Sequence, residues 1–303
     1  MVIKKGAIHW TNIVHPSSEE IKELERMYRF HPIILEELTQ PSARSKVEIY
    51  GNNMFIVYHL PIFDSYDKAS RKGEIDFLVT SQGVVSTTYE DLEPLKVIAS
   101  KMDDDANYKE RALGGDSVRL LYTIMEACLA YSLRQLRHIE EKIEYIRTAL
   151  FDDREQQLVK KISYVKRDLL SYYLITKSQA SIFNSLNKIG PGFFGKESAI
   201  YFSDLEGDFL KVLQLCESYK ETIEAFESTN TQLLNIRMTK IMQRFSVLAF
   251  MTFPLMIFLA LLTIDSISRP LIGKTPYDFW ILTGIVVGAG AVMMALFSRK
   301  GWL

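Results

Sequence analysis

Five histidines, two cysteines and a scatter of carboxylates are the residues of this chain best equipped for chemistry. His9, His15, His31, His59 and His138 show no HExxH or comparable zinc spacing. Cys128 and Cys216 cannot build a disulfide framework or a cysteine-based zinc site, and they read as reduced cytosolic thiols. No phosphate-binding Walker loop and no GxSxG elbow occurs, so the sequence argues against an enzyme and against use of ATP. That leaves the acids. The triplet Asp103-Asp104-Asp105 reads as a solvated loop. Asp265 stands at the end of a long uncharged stretch, where its plain reading is a solvated residue at a membrane edge.

The elements that would position Asp265 are visible in the charge pattern. The whole chain of 303 residues has a net charge of −1, which excludes a generally basic nucleic-acid binder. From Phe245 to the end only Asp265, Arg269, Lys274, Asp278, Arg299 and Lys300 are charged. Residues 245–264 and 279–297 carry no charge at all. A hydrocarbon core about 30 Å thick needs roughly 20 apolar residues in a helix, and both stretches qualify. The alternative is a pair of buried core helices, which seldom run so long without a charged face. Arg237, Lys240 and Arg244 precede the first stretch, and Arg299 and Lys300 follow the second. Positive flanks stay in the cytoplasm. With no apolar leader in MVIKKGAIHW, a multi-pass protein of the inner or plasma membrane is expected, both termini cytoplasmic. Gly284 and Gly288 suit close helix packing in lipid.

Ahead of the tail, β-rich runs at Val2–Trp10, Lys46–Ile49, Met54–Leu60, Glu74–Thr80 and Val84–Tyr89 alternate with helical signals. Ser17 and Glu20 make a capping box for a helix towards Arg29, and residues 31–38 suggest another. After Gly114-Gly115, with Asp116 as cap, helices are expected over 117–150 and 154–187, the second ended by Gly190-Pro191-Gly192. A third starts near Ala199 and meets neither proline nor glycine between Asp208 and Pro254, so it runs into the first span. The expected organisation is an α/β domain over 1–112, a helical stalk over 113–244 and a transmembrane part over 245–303. In fold class this is an α+β cytosolic domain with a long helical stalk and two C-terminal transmembrane helices.

Several stretches in this order resemble the CorA family of divalent-cation transporters. They are HPIILEELTQPSARSKVEIYGNNMFIVYHLP, GEIDFLVTSQGVVSTTYED, NTQLLNIRMTKIMQRFSVLAFMTFPLMIFLALL and the terminal SRKGWL. The resemblance covers nearly the whole chain. It implies a funnel-shaped homopentamer among membrane lipids, passing Mg²⁺, Co²⁺ or Ni²⁺ through a pore lined by the first span, with Mg²⁺ as substrate and regulator and no nucleic-acid partner. The chain departs from the family at one place. The usual Gly-Met-Asn signature is replaced by Thr263, Ile264 and Asp265, counting from Pro254. That substitution leaves Zn²⁺, or a non-conducting scaffold or sensor of the same architecture, as alternatives.

The resemblance also implies residue roles. Five copies of Asp265 would form a carboxylate ring at the pore entrance, more attractive to cations than amides. Thr239, Met242, Phe245, Phe253, Met256 and Ala260 match pore-lining places, with aromatic rings able to gate by dewetting. Ordinary lipid-facing or helix-packing surface is the other reading of that face. Asp204 and, in a looser register, Glu93 match regulatory acids that bind divalent ions between neighbouring cytosolic domains.

Overall fold

A computed structural model of the chain describes residues 1–151, 155–262 and 277–299. It divides into two compact units, Met1–Ser228 and Thr229–Leu303.

The first unit is organised around a six-stranded sheet. Its strands are β1 (Val2–Lys5), β2 (Ile8–Val14), β3 (Lys46–Tyr50), β4 (Asn53–Asp64), β5 (Ala69–Thr80) and β6 (Gly83–Thr88). Their spatial order is β1-β2-β6-β5-β4-β3. Every neighbouring pair is antiparallel except β2 with β6, where Trp10 lies opposite Val84. The single β-run expected over Val2–Trp10 is a hairpin instead. Gly6 turns it with a φ of +60°, a conformation that glycine adopts without steric cost. Gly83 opens β6 with a φ of +150°, and a Cβ there would collide with the His9 carbonyl.

The two faces of the sheet are separated by side-chain alternation. Phe55, Val57, Leu78 and Val85 pack with Leu24, Phe30, Ile34, Leu35 and Leu38. The last five come from α1 (Ser18–Tyr28), α2 (Pro32–Glu37) and their flanks. The capping box at Ser17 and Glu20 forms in both directions. His31 caps α2 by accepting the Ile33 N–H on its Nδ1. On the opposite face Tyr58 meets Phe183 edge-on at 6.1 Å, which places the long helices there.

Those helices begin with two that sequence periodicity did not indicate, α3 (Glu93–Asp104) and α4 (Ala106–Leu113). The acidic triplet is therefore not a loop. Asp103 and Asp104 close α3, and Asp105 caps α4 by accepting the N–H groups of Asn107 and Tyr108. Next come α5 (Ser117–Ala149), α6 (Glu155–Ser178) and α7 (Ala180–Phe194). Asp116 caps α5 as expected, accepting from the Arg119 N–H at 3.0 Å.

The helix expected over 154–187 is broken at Gln179. Its buried amide accepts the His59 N–H at 3.0 Å and donates to Ser45 Oγ at 2.7 Å. Helix α7 then runs through Pro191 to Phe194 rather than stopping at Gly190-Pro191-Gly192. One proline forfeits a single ladder bond. The bare Gly190 lets Phe202 lie where a side chain would otherwise stand, so packing offsets that loss.

The last helices are α8 (Ala199–Leu262), an uninterrupted 64 residues, and α9 (Asp278–Arg299). The apolar stretch of α8 is long enough to cross a membrane, and only 6% of it is buried within the chain. That exposure distinguishes it from the core helix of a soluble protein. Helix α9 carries a shorter apolar run, Thr283–Arg299.

Candidate ion path and cation sites

Thr239, Met242, Phe245, Phe253, Met256 and Ala260 all lie on α8. At 3.6 residues per turn they fall within about 120° around its axis, so one face carries all six. Met242, Phe245, Phe253 and Met256 are exposed in the single chain. Leu248, on another face, is exposed too, so exposure alone does not single out this face. Its chemistry is more informative. The Thr239 hydroxyl donates to the Asn235 carbonyl at 2.9 Å, and Ser246 and Thr252 bond back to Met242 and Ala249. These hydroxyls serve their own helix. The face they leave is thioether, aromatic and methyl, a surface that repels a dehydrated ion and tolerates one that keeps its water. Thr263, Ile264 and Asp265 lie outside the described residues.

Asp204 lies one turn into α8. Its Oδ2 accepts the Tyr122 hydroxyl of α5 at 2.7 Å. Glu126 is near enough that burial, followed by the charges of Asp204 and Asp208, holds its carboxyl above the usual range. Burial also raises the Tyr122 phenol, followed by the bond to Asp204 and the charge of Glu126. Lys211 answers Asp208 at 2.7 Å. Three acids thus share one region, with one ion pair, Lys211 to Asp208, among the described residues. The sequence pointed to Asp204 and missed Glu126 and Asp208; Glu126 lies 78 positions earlier with no spacing signal, while Asp208, four residues along the same helix, could have been found from helical spacing. Among the described residues no three ligating side chains converge tightly enough to hold a metal within one chain.

Glu93 is placed differently. It opens α3, and its carboxylate faces Arg134 of α5 at 3.6 Å. The α5 residues that meet Glu93 and Asp204 are Arg134 and Tyr122, about 18 Å apart along the helix. The two acids therefore do not form one site within a chain.

Another ionisable cluster is sealed inside the sheet. Glu74 of β5 receives the Ser42 N–H and the His59 Nε2 at 3.0 Å. Asp76, two residues on, is fully buried and accepts the Tyr89 hydroxyl at 3.1 Å and the Thr87 hydroxyl at 3.4 Å. Burial, followed by the charge of Glu74, pushes the Asp76 carboxyl up to about 8. The thiols are inert for the same reason, since burial raises both Cys128 and Cys216 to about 12.

Comparison with known proteins gives a consistent picture. The sequence profile of the family described as "CorA-like Mg2+ transporter protein" matches residues 5–299. The "Cobalt/magnesium transport protein CorA" of Thermotoga maritima is 18% identical over 297 residues, 97% of this chain and 83% of that protein. Its namesake from Methanocaldococcus jannaschii is 21% identical over 305 residues, 97% of this chain and 91% of that protein. The solved structure titled "The complete structure of CorA magnesium transporter from Methanocaldococcus jannaschii" superposes with a TM-score of 0.82 at 18% identity. It covers 99% of this chain and 93% of that one, so the two share a fold.

Proposed function

This chain belongs to the CorA-like Mg²⁺ transporter family, and on that premise we propose that it passes divalent cations, Mg²⁺ first and Co²⁺ or Ni²⁺ after it, passively through a homopentameric pore. Membership carries divalent-cation transport and a membrane setting at the level of the family. The particular ion, the pentamer, the two spans and the gate are proposed beyond it. In it, residues 1–112 and 113–244 form the cytosolic domain and stalk. Residues 245–264 and 279–297 cross the plasma or inner membrane, and both termini remain in the cytoplasm.

The observation that supports this most is α8 itself. One unbroken helix runs from the Asp204 acids through the face of Thr239, Met242, Phe245, Phe253, Met256 and Ala260. One helix cannot enclose an aqueous path, so several copies must. With α8 innermost, the rings of Phe245 and Phe253 form dry constrictions, and Asp265 with Thr263 and Ile264 forms the outer entrance. Asp204 and Glu93, brought near acids of neighbouring chains, take cytosolic Mg²⁺ and hold the assembly closed. The driving force is the ion gradient and the membrane potential, about 4.6 kcal/mol per 100 mV for a divalent ion moving inward.

The test is Mg²⁺ uptake into liposomes containing purified protein. Uptake that rises with an inside-negative potential is expected. Equal uptake in protein-free liposomes overturns the reading. A second reading is motivated by the lost Gly-Met-Asn signature: Zn²⁺ or another divalent ion as substrate, or a non-conducting scaffold or sensor. Competition among ions in the same liposomes separates the first of these. Normal oligomers without flux of any divalent ion establish the second.

A further inference from the structure

Away from the ion path, the first unit contains a cavity of about 610 Å³ between the β4–β5 hairpin and the pair α5 and α6. That is the size of a small-molecule pocket. Its walls are mainly apolar, with Ile139, Ile146 and Val165 behind and the rings of Phe63, Tyr145 and Tyr164 around the mouth. These three rings are each left 39–46% exposed in a domain that buries Trp10, Phe55 and Phe77 completely. Large aromatics held open beside a cavity are surface available to an apolar body.

The polar groups show what the other end of that body must be. Asp168, 1% exposed, accepts Ser70 Oγ at 2.8 Å on one oxygen and Lys142 Nζ at 3.0 Å on the other. Both oxygens are engaged and the charge is matched, so this acid does not call for a ligand cation. Lys142 lies over the Phe63 ring at 4.4 Å. Lys161 lies over the Tyr145 ring at 3.8 Å, and among the described residues no carboxylate pairs with it. Lys68 and the Arg167 guanidinium flank the Tyr164 ring at 5.5 and 5.7 Å. Glu141 lies at the solvent edge, 66% exposed, facing His138 at 3.4 Å. Among the described residues the cavity lining thus carries two lysines, Lys142 matched by Asp168 and Lys161 without a carboxylate, and one exposed acid, Glu141; Lys68 and Arg167, the latter bonded to the Asp67 carbonyl, stand just outside it beside Tyr164.

We propose that this cavity is a binding site for an amphipathic organic anion, an aromatic or branched aliphatic body with one acidic head group. The body fills the space against Ile146 and Val165. The head group meets the Lys161 ammonium, which the Tyr145 ring already holds in place, so little freedom is lost on binding. The ligand would be wedged between the sheet and the α5–α6 pair, independent of the ion that is carried.

The experiment uses the full-length protein in lipid nanodiscs and 2-naphthalenesulfonate as probe, with binding followed by equilibrium dialysis against empty nanodiscs. Saturable retention above the empty discs is expected. Lys161→Glu should weaken it roughly tenfold or more, the weight of one charged contact. Lys161→Arg should keep it within about threefold, since the charge and its ring contact persist. The neutral 2-naphthylmethanol should bind at least about tenfold more weakly than the sulfonate. Phe63→Ala removes one aromatic wall at a half-open position and should weaken both probes together. Retention no greater than in empty discs overturns the proposal. So does equal binding by wild type and Lys161→Glu, or equal binding of sulfonate and alcohol. None of these readouts depends on ion flux, so the cavity and the transport reading fail separately.

Discussion

Replacing Asp76 by asparagine should change how the stability of the protein depends on pH. Asp76 is fully buried on β5, with Tyr89 and Thr87 donating to one oxygen and the other oxygen without a partner. Burial and the neighbouring Glu74 raise its carboxyl from 3.8 to about 8. The fold therefore holds the proton more tightly than the unfolded chain does. The stability it contributes is complete below pH 3.8 and declines as pH rises, until the folded group itself ionises near pH 8. Within that window the slope is about 1.4 kcal/mol per pH unit. Asparagine stays neutral. Its Oδ1 can still accept the Tyr89 hydroxyl, and its Nδ2 takes the place of the oxygen that has no partner. In a unit of 228 residues 1 kcal/mol corresponds to about 2–4 °C of Tm. Between pH 5 and 8 the wild-type Tm should thus fall about 3–6 °C per unit more steeply than that of Asp76→Asn. Above pH 8 the two curves should run parallel. Near-UV circular dichroism of purified protein in detergent, taken across pH, provides the measurement. Equal slopes between pH 5 and 8 would refute the raised carboxyl and the account of its burial.

Phe183, stacked on Phe209 at 4.5 Å and 1% exposed, joins α7 to α8; Phe183→Ala should cost about 3–5 kcal/mol in denaturant unfolding. Gly83→Ala combines a φ of +150° with a collision against the His9 carbonyl. It should lower Tm with a loss of at least about 1–3 kcal/mol. Asp265→Asn, tested in Mg²⁺ uptake, should weaken the apparent affinity, because a neutral amide gives up contacts about twice as strong as its own. An unchanged uptake curve removes Asp265 from the entrance. Asp204→Ala should raise the Mg²⁺ concentration that protects the protein from protease, and identical protection in both proteins rules out its regulatory role.

What could be read from sequence was what depends on near neighbours. The Ser17–Glu20 box, the Asp116 cap and the strands around Phe55 and Phe77 follow from period and capping chemistry alone. The length of α8 followed from the lack of any breaker between Asp208 and Pro254. Two of the failures came from partners outside the local pattern. Gln179 breaks a helix because His59 and Ser45, more than a hundred positions earlier, compete for its amide. Pro191 stays inside α7 because Phe202 packs on Gly190. Helix α3 was missed although Pro94 at its first turn is a start signal. Among the site residues, the shared face of the six α8 positions was legible from helical geometry. The Arg134 partner of Glu93 and the Glu126 neighbour of Asp204 were not, since each lies on α5 with no sequence spacing to announce it.

The parallel pairing of β2 with β6 orders events during synthesis. His9 lies opposite Gly83 and Val14 opposite Thr88, each 74 positions later. At roughly 5–20 residues per second, β2 waits about 4–15 s for the strand that covers its inner edge. For that interval only the β1 hairpin shields it from pairing elsewhere. The sheet is nevertheless complete in sequence by Thr88, far ahead of the apolar end of α8. The sheet thus leaves the ribosome well ahead of the lipid-seeking segment, so it can fold before membrane insertion begins.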